Sequence, residues 1–415
     1  MSTMSKKKKE DSSVNVAQAG IQALMAHAMR AAGGQACLAS DLAERVWGIP
    51  SDHLAYRWLV DSTCYQMSRI TGVAGVKESC KSAFAMSMAK VWMDLGGVCV
   101  YVDTENKKSP ALYRAVVGEA NTHRTLEYVA FTTEEWQEQL LDSVRFAAED
   151  PAMKGVPVMF IIDSLGGVDT KETDARIEKE GGVNPRNTGG MIKCKSHNEF
   201  FRHINRHLYM KPYSLVYINH LSDDPSSPIQ GAKRKPGGTG QDYHAVLDLW
   251  FSVVKGTPSF KATRGFTEKI LKITTNKNSM GASKRHIEIP YRWKGDEITG
   301  QINECWFDWD AATAILMADD GPNGIKSRLK DILTVTVNSN KYSCKALNLV
   351  GVTDSELGAA LRQDIPMRER ISDALGINRM KVYPELKLED KGIYEEHRYS
   401  VAPTAKPVET EEEAP

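Results

Sequence analysis

Short apolar runs that alternate with helical segments constrain the fold of this 415-residue chain more than any other feature. The runs Gly97–Asp103, Val156–Asp163 and Ser214–Asn219 are apolar and rich in residues that favour strands. Helical segments, Glu134–Ala148 and Ser196–Tyr209, lie between them. Apolar strands separated by helices indicate a parallel sheet that is covered on both faces. In such a sheet we expect functional groups at the carboxyl ends of the strands.

The rest of the chain predicts extensions around this α/β core. Alternating strands are expected at Ile270–Thr274 and His286–Tyr291, and no internal repeat is visible. Further helices are predicted at Val14–Ala32, Leu38–Val46, Ile325–Leu333, Asp354–Arg362 and Met367–Leu375. We divide the chain into an N-terminal tail with a helical oligomerisation segment (1–50), an α/β core (51–305), a small C-terminal region (306–400) and an acidic disordered tail (401–415).

Composition excludes several classes of protein. The chain has 53 basic and 53 acidic residues and no apolar run long enough to cross a membrane. The polar, lysine-rich start predicts no secretory signal, and seven cysteines without a C-x-x-C pair favour a reducing cytoplasm. Zero net charge argues against a strongly basic nucleic-acid binder. It does not exclude DNA binding through a narrow basic stripe that many subunits assemble.

The stretch Gly75–Ser82 fits the phosphate-loop pattern G-x-x-x-x-G-K-[ST] except that Cys80 replaces the second glycine. A predicted strand, Arg69–Ala74, precedes it, and a predicted helix, Ala83–Leu95, follows. Such a turn aims backbone N–H groups and the helix dipole at phosphate. Lys81 would neutralise phosphate charge and Ser82 would hold Mg²⁺. A β-carbon at position 80 crowds the approach to phosphate, and a strand–turn–helix with a chance Lys-Ser pair is the alternative interpretation.

Two acidic strand ends strengthen the phosphate-loop interpretation. Asp163 ends an apolar strand in the Walker B manner and would bind Mg²⁺. Glu105 ends the strand that follows the phosphate-loop helix, where a carboxylate can orient and activate water. Either acid alone is common at a strand end. Three features in this order predict nucleotide binding together with Mg²⁺.

The run from Gln66 through Ser82 resembles the entry strand and phosphate loop of the RecA recombinase family. The chain keeps the order of that family: D-T-E at 103–105, I-I-D-S at 161–164, I-N-H at 218–220 and G-G-T-G at 237–240. These motifs, with T-K-E-T after D-S-L-G, are most similar to the bacteriophage branch of UvsX-like recombinases. That branch also carries a non-glycine residue at the Cys80 position. The resemblance covers roughly Trp47–Trp293.

The resemblance implies a RecA-like P-loop core and an ATP-dependent strand-exchange enzyme of DNA recombination and repair. Its partners would be single-stranded DNA, homologous duplex DNA, and further copies of the chain in a helical filament with ATP between subunits. A loader protein or a single-strand-binding protein is a further partner that we consider. No membrane partner is expected, and the location would be the cytoplasm of a bacterium or of a phage-infected cell. The N-terminal helix suits a filament contact, with packing on its own domain as the alternative.

The resemblance also assigns roles residue by residue. Lys81 and Ser82 hold phosphate and Mg²⁺, with Gly75, Glu78, Ser79 and Cys80 lining the loop; Asp163 is the Walker B acid and Glu105 the catalytic carboxylate. His220 senses the γ-phosphate and passes that state to a DNA-binding loop, or is simply a hydrogen-bonded histidine at a strand end. Lys277 stabilises charge across the subunit boundary, or is a surface lysine. Tyr113 is near the position that stacks on adenine.

Two long, weakly structured segments match the DNA-binding loops of the family. The first, Gly166–Gly190, carries Lys171, Arg176, Lys179 and Arg186; the second, Leu221–Gly240, carries Lys233, Arg234 and Lys235 before Gly237 and Gly238. Loops of this length are functional or disordered, and phosphate contact needs local cations. A solvated turn is the alternative for the basic triplet at 233–235.

Other functions remain open from the sequence. A RecA-fold helicase or repair-accessory ATPase is one alternative, although no helicase motif or appended zinc domain is evident. A nucleotide-gated DNA-binding scaffold with little hydrolysis is another, because Cys80 departs from the glycine pattern. Duplex DNA and a loader protein are the partners considered for the C-terminal region. The acidic tail is expected to compete with DNA for the basic loops.

Overall fold

The computed structural model describes residues 22–31, 47–180, 189–224, 227–229, 231–238, 240–254, 258–261, 264–295, 301–321 and 324–383. The chain separates into two compact units, Met1–Val46 and Trp47–Pro415. In the first unit, residues 22–31 form helix α1 with Leu24 and Met25 exposed. The predicted helix at Val14–Ala32 is thus confirmed over its described part. The predicted helix at Leu38–Val46 and the acidic tail lie outside the described residues.

The second unit combines helices with several small and one large sheet. Its helices are α2 (Leu54–Val60), α3 (Lys81–Asp94), α4 (Pro110–Val117), α5 (Thr133–Glu149), α6 (Lys171–Glu180), α7 (Gly189–Leu208), α8 (Gly240–His244), α9 (Trp309–Ala318), α10 (Lys326–Leu329), α11 (Asp354–Gln363) and α12 (Ile365–Ala374). Its strands are β1 (Trp47–Pro50), β2 (Cys64–Gln66), β3 (Arg69–Gly75), β4 (Val98–Asp103), β5 (Thr125–Val129), β6 (Val158–Asp163), β7 (Tyr213–His220), β8 (Ser222–Asp223), β9 (Lys233–Arg234), β10 (Leu247–Val253), β11 (Ser259–Lys261), β12 (Phe266–Asn278), β13 (His286–Gly295), β14 (Ile302–Phe307), β15 (Val335–Asn338), β16 (Lys341–Cys344), β17 (Leu349–Val352) and β18 (Lys381–Val382). None of the helices in these described ranges is both long and apolar enough to cross a membrane.

A sheet of ten strands, counted over the described residues, organises this unit. Strands β10, β3, β7, β6, β4 and β5 lie side by side in that order and run parallel. Strands β12, β13 and β14 continue the sheet from β10 in antiparallel pairing, and β11 pairs with β12. The predicted α/β class with a mainly parallel sheet is therefore confirmed.

Alternate residues of the parallel strands pack on opposite layers of helices. Along β7, Val216 and Ile218 join the core under α3, whereas Leu215 and Tyr217 join the core under α5 and α7. Every one of these side chains is almost fully buried. The continuous apolar runs in the sequence thus reflect strands that are covered on both faces. Helix α5 begins with a reciprocal capping box between Thr132 and Glu135.

The first predicted loop contains a helix that the sequence interpretation missed. Residues 166–190 were expected to be weakly structured, but α6 occupies Lys171–Glu180 and α7 begins at Gly189. The buried Thr170 hydroxyl accepts a hydrogen bond from the Thr173 N–H at 3.2 Å and so caps the start of α6. The second predicted loop holds a short antiparallel pair, β8 with β9.

The C-terminal region also differs in detail from its prediction. The helix expected at Ile325–Leu333 ends after the single turn of α10, whereas α11 and α12 match their predictions. A three-stranded sheet, β15–β16–β17, was not predicted from the sequence. Its strands have only four residues each. Runs that short carry a weak periodic signal.

One buried arginine joins this region to the large sheet. Arg292 of β13 is 2% exposed and donates to Glu268 Oε2 at 2.7 Å and to Asp354 Oδ2 at 3.0 Å, and it also pairs with Asp308. Asp308 caps α9 by accepting from the Ala311 N–H at 2.7 Å, and Asp354 begins α11. Residues 306–383 therefore pack within the same compact unit as the sheet.

Candidate nucleotide site

The turn between β3 and α3 is the segment that the sequence analysis predicts to be a phosphate loop. Gly75 is required there, because a β-carbon would lie 2.5 Å from Ser79 Oγ and 2.7 Å from the Phe251 carbonyl oxygen. Glu78 and Cys80 both have left-handed backbone, with φ of 60° and 59°. A left-handed residue followed by the first helical residue turns successive N–H groups toward one point, which is a concave anion-binding shape. The turn therefore presents N–H groups and the N-terminus of α3 to one place.

The backbone at Cys80 has a conformation that favours glycine. Its φ of 59° is unfavourable for any residue with a β-carbon, so the cost lies in the backbone itself as well as in the approach to phosphate. The side chain packs against the core, and burial raises the pKa of the Cys80 thiol to about 11. The thiol is consequently protonated at neutral pH and is a poor nucleophile in this conformation.

Lys81 and Ser82 occupy the first turn of α3. Lys81 Nζ folds back and donates to the Val76 carbonyl at 2.8 Å. Burial lowers the pKa of Lys81, whereas the carboxylates of Asp163 and Glu105 raise it. The Ser82 hydroxyl lies within reach of the Asp163 carboxylate and lowers the pKa of that carboxyl group. A phosphate in this turn would therefore meet a cation that already lies near both acids.

Asp163 lies at the carboxyl edge of the sheet. It is directly opposite Asp103 in the β4–β6 pair, as Gly75 is opposite His220 in the β3–β7 pair. Burial raises the pKa of Asp163, against the hydrogen bonds from Ser82 and Tyr101 that lower it. Tyr101 Oη donates to Asp163 Oδ2 at 2.6 Å. Four adjacent strands thus bring their ends to one edge, as the alternation of the sequence predicted.

No group of three or more His, Cys, Asp or Glu side chains in the described ranges is arranged to hold a metal ion. The two predicted Mg²⁺ ligands, Ser82 and Asp163, do lie together. A hydroxyl and one carboxylate are a donor set that Mg²⁺ completes with phosphate oxygens and water. The residues present therefore fit a Mg²⁺ ion that arrives with a nucleotide.

Glu105 is held by three donors. Its Oε1 accepts from Ser164 Oγ at 2.7 Å and faces His220 Nε2 at 2.8 Å, and its Oε2 pairs with Lys107 Nζ at 2.9 Å. Burial alone would raise the pKa of Glu105, but the bonds from His220, Ser164 and Lys107 outweigh it and lower the pKa to about 2. At neutral pH this carboxylate accepts hydrogen bonds, for example from water, far better than it accepts a proton.

The two acids are tied together through their neighbours. Thr104 Oγ1 donates to the Ser164 carbonyl at 2.6 Å and accepts from the Ser164 N–H at 2.9 Å. Gly167 passes so close that a β-carbon there would lie 2.1 Å from Thr104 Oγ1. The segments that carry Asp163 and Glu105 therefore hold each other in register.

His220 is followed directly by the second predicted loop. The neighbouring Asn219 is 1% exposed and donates through Nδ2 to Gln241 Oε1 at 2.7 Å and to the Pro236 carbonyl at 2.9 Å. Gln241 Nε2 donates in turn to the carbonyls of Pro236 and Gly238 at 2.8 and 3.0 Å. Hydrogen bonds thus connect the strand that carries His220 to the backbone of the predicted loop.

Two further predicted residues, Lys277 and Tyr113, have contacts of their own in this structure. Lys277 of β12 pairs with Asp248, which in turn pairs with Gly72, so it lies level with the middle of β3. Its Nζ donates to the Asp242 carbonyl at 2.6 Å. Tyr113 is 5% exposed, and Lys108 Nζ lies 4.0 Å from the centre of its ring. The face that was predicted to stack on adenine is therefore occupied by an ammonium group in this conformation.

The predicted DNA-binding residues fall into two groups. Lys179, Lys233 and Arg234 are exposed, and Arg176 is half-buried. Lys235 is buried instead: its side chain is 4% exposed and pairs with Asp248 Oδ1 at 3.0 Å and with Asp242. The sequence analysis assigned Lys233, Arg234 and Lys235 alike to DNA binding, but the structure buries the side chain of Lys235.

Gly237 and Gly238 both have positive φ, of 92° and 76°, as their residue type permits. They pass beside α7, where a β-carbon on Gly238 would lie 3.0 Å from Cys194 Sγ. Arg186 lies outside the described residues. The second loop is therefore anchored to α7 at its glycines.

Sequence reasoning missed several residues that shape the site. Tyr101, Thr104 and Gln241 act through contacts between strands or loops that are distant in sequence, whereas Lys107 pairs with Glu105 close to it in the chain. Of these four residues, only Thr104 belongs to a motif that the sequence analysis recognised, D-T-E at 103–105. Lys269 was also missed; it donates from β12 to the carbonyl of Glu78 in the phosphate loop at 2.6 Å.

Comparison with known proteins gave no match. No protein-family model matches the chain, and no curated protein is significantly similar to it. The function is therefore inferred from the site.

Proposed function

We propose that this chain is an ATP-dependent DNA recombinase with a RecA-like P-loop core. One observation carries the proposal: a Lys-Ser pair at a helix N-terminus, an aspartate within reach of that serine, and a glutamate that is hydrogen-bonded to a histidine meet at adjacent strand ends. The histidine begins a segment that carries exposed basic residues. Nucleotide chemistry and a polyanion partner are therefore suggested by neighbouring parts of one edge.

The residues have distinct roles in ATP hydrolysis under this proposal. Lys81 exchanges the Val76 carbonyl for phosphate oxygens, and the loop N–H groups bind the remaining phosphate charge. Ser82 and Asp163 would hold Mg²⁺, which supplies charge neutralisation at the phosphates when bound. Glu105 orients the attacking water as a hydrogen-bond acceptor, in keeping with its pKa of about 2. His220 shares Oε1 of Glu105, so a change at the carboxylate reaches the strand that leads into the loop.

The partners follow from the same proposal. The exposed cations Lys179, Lys233 and Arg234 contact the backbone of single-stranded DNA, and homologous duplex DNA is the second substrate. Lys277, which lies level with the middle of β3 in its own subunit, acts on the nucleotide of a neighbouring subunit of a helical filament. The expected setting is the cytoplasm of a bacterium or of a phage-infected cell.

A nucleotide-gated DNA-binding scaffold with little hydrolysis is the second candidate function. It is favoured by the state of Glu105, whose two oxygens both have partners in this conformation. A water that attacks phosphate has to displace one of these donors or use the lone pair that Lys107 leaves on Oε2. Under the scaffold proposal, ATP binding alone would switch the DNA-binding loops.

The deciding experiment measures ATP hydrolysis with and without single-stranded DNA. The recombinase proposal expects strong stimulation by DNA that is abolished in Lys81→Ala and retained in Lys90→Ala, a lysine of the same helix that pairs at the surface with Asp94. Glu105→Gln should lower kcat by about 10²- to 10⁴-fold while ATP still binds. Hydrolysis that ignores DNA would sink the recombinase proposal. ATP binding without turnover in the unaltered chain would favour the scaffold, and strand exchange between homologous DNAs would exclude it.

A further inference from the structure

The phosphate loop holds an unfavourable backbone shape that needs support from outside the loop. Glu78 and Cys80 both have φ near 60° although neither is glycine. Left-handed backbone persists at residues with a β-carbon only where surrounding contacts enforce it. Within the loop, Ser79 Oγ and Lys81 Nζ both donate to the single carbonyl of Val76, at 2.7 and 2.8 Å. Neither of these bonds uses the carbonyl of Glu78, which accepts its hydrogen bond from a residue outside the loop.

Lys269 supplies that hydrogen bond. It lies on β12, which is separated from β3 by β10, and its Nζ donates to the Glu78 carbonyl at 2.6 Å. The ammonium group also lies near the Cys80 thiol, because its charge lowers the pKa of that thiol against the larger effect of burial. A charged donor makes a stronger hydrogen bond than a neutral one. One side chain from a distant strand thus contacts the strained turn at its centre.

We infer that Lys269 is a positioning residue that holds the phosphate loop in its nucleotide-ready shape and so offsets the missing glycine at position 80. This inference rests on the proposed function only for the ligand, since the support of the loop is a property of the free protein. Lys269 is not a catalytic residue, because it contacts the backbone of the loop and not the place where phosphate would lie. Loss of the Lys269 side chain populates loop conformations that bind phosphate poorly. The apparent affinity for nucleotide is then the intrinsic affinity multiplied by the fraction of chains whose loop can still bind it.

A suppressor experiment tests the inference in the nucleotide-free protein. Loop exchange is measured in Lys269→Met, which removes the donor, as the hydrogen exchange of the two amides that donate to loop carbonyls: Phe84 to Cys80 at 2.9 Å and Leu221 to Gly75 at 3.0 Å. Exchange is expected to accelerate about tenfold, since a charged donor to a backbone carbonyl is lost. Adding Cys80→Gly should return exchange to within about threefold of the unaltered chain, because glycine adopts positive φ without strain. Adding Cys80→Ala, which removes the thiol and keeps the β-carbon, should not.

Two further variants control for general effects. Lys272→Met removes a lysine on the same strand whose odd spacing from Lys269 places it on the opposite face. It should leave loop exchange unchanged. Lys269→Arg keeps a cationic donor and should retain most of the protection. The dissociation constant of Mg²⁺–ATP, titrated across the same set, should follow loop exchange, with kcat at saturating ATP nearly constant.

The outcomes separate this inference from the proposed function. Equal loop exchange in Lys269→Met and the unaltered chain overturns the inference, and so does suppression by Cys80→Ala as effective as by Cys80→Gly. Suppression by glycine alone supports it. If the unaltered chain binds no Mg²⁺–ATP, the proposed function fails, and the exchange measurements still decide whether Lys269 supports the loop.

Discussion

Loss of the charge at Lys235 should lower the stability of the protein, whereas loss of the charge at its neighbours Lys233 and Arg234 should weaken DNA binding. Lys235 is buried, and it is the donor to Asp248 Oδ1, at 3.0 Å. Asp248 is 1% exposed and receives its other donors, from Trp250 and Asn276, at Oδ2. Lys235→Met therefore leaves one buried carboxylate oxygen without its cation.

The expected cost follows from that burial. Breaking a buried ion pair by removing one partner destabilises a protein by about 3 to 5 kcal/mol. We expect about 3 kcal/mol for Lys235→Met, because two donors to Asp248 remain. Lys233→Met and Arg234→Met are the matched controls. Their side chains are 35% and 56% exposed and pair with surface acids, so each should change the free energy of unfolding by less than about 0.5 kcal/mol.

Urea unfolding and single-stranded DNA titration at several salt concentrations distinguish the two groups. Lys233→Met and Arg234→Met should keep the urea midpoint, weaken DNA binding and each reduce the salt slope by about one. Lys235→Met should lower the urea midpoint and keep the salt slope wherever the protein is folded. If Lys235→Met is as stable as the unaltered chain and loses a unit of salt slope, the lysine leaves Asp248 to contact phosphate and the reasoning is refuted.

Three further outcomes are expected. Burial, together with the charge of Lys193, lowers the pKa of His197 to about 4. As the pH drops below about 6.5, the unfolded chain takes up the proton first and the free energy of unfolding falls. His197→Gln should remove about 2 kcal/mol of the loss in unfolding free energy between pH 7 and pH 5, and an unchanged difference would contradict this. Arg292→Met should cost about 3 to 5 kcal/mol by urea unfolding, because several carboxylates around it lose their cation; a loss below about 1 kcal/mol would count against the clamp. Deletion of Val401–Pro415 should tighten DNA binding and make it more tolerant of salt in the same titrations, and no change would make the tail a bystander.

The parallel core was predictable because its signals are local and redundant. A strand buried on both faces reads as an apolar run, and Asp163 and Glu105 stand where such runs end. The spacing of Gly75, Lys81 and Ser82 identifies a turn that feeds a helix whatever packs around it. These features depend on neighbours in sequence, so they can be recognised without the fold.

The sequence was least informative where contacts with tertiary neighbours place a side chain. Lys235 has the same local character as Lys233 and Arg234, and only its approach to Asp248 buries it. Tyr113 looked available for a base, but Lys108 covers its ring. Lys269 lies almost two hundred residues beyond the carbonyl that it contacts, and no pattern along the chain joins the two.

The raised pKa of the half-buried Cys80 thiol, in the predicted phosphate loop, has a chemical consequence. With a pKa of about 11, Cys80 is present as thiolate in only about one chain in ten thousand at pH 7. Burial likewise raises the pKa of Cys64 and of Cys99 to about 12. Mild oxidants and alkylating reagents attack thiolates, so these positions should resist both in the folded protein. A reporter dye could then be attached at a new surface cysteine while the phosphate loop stays unmodified.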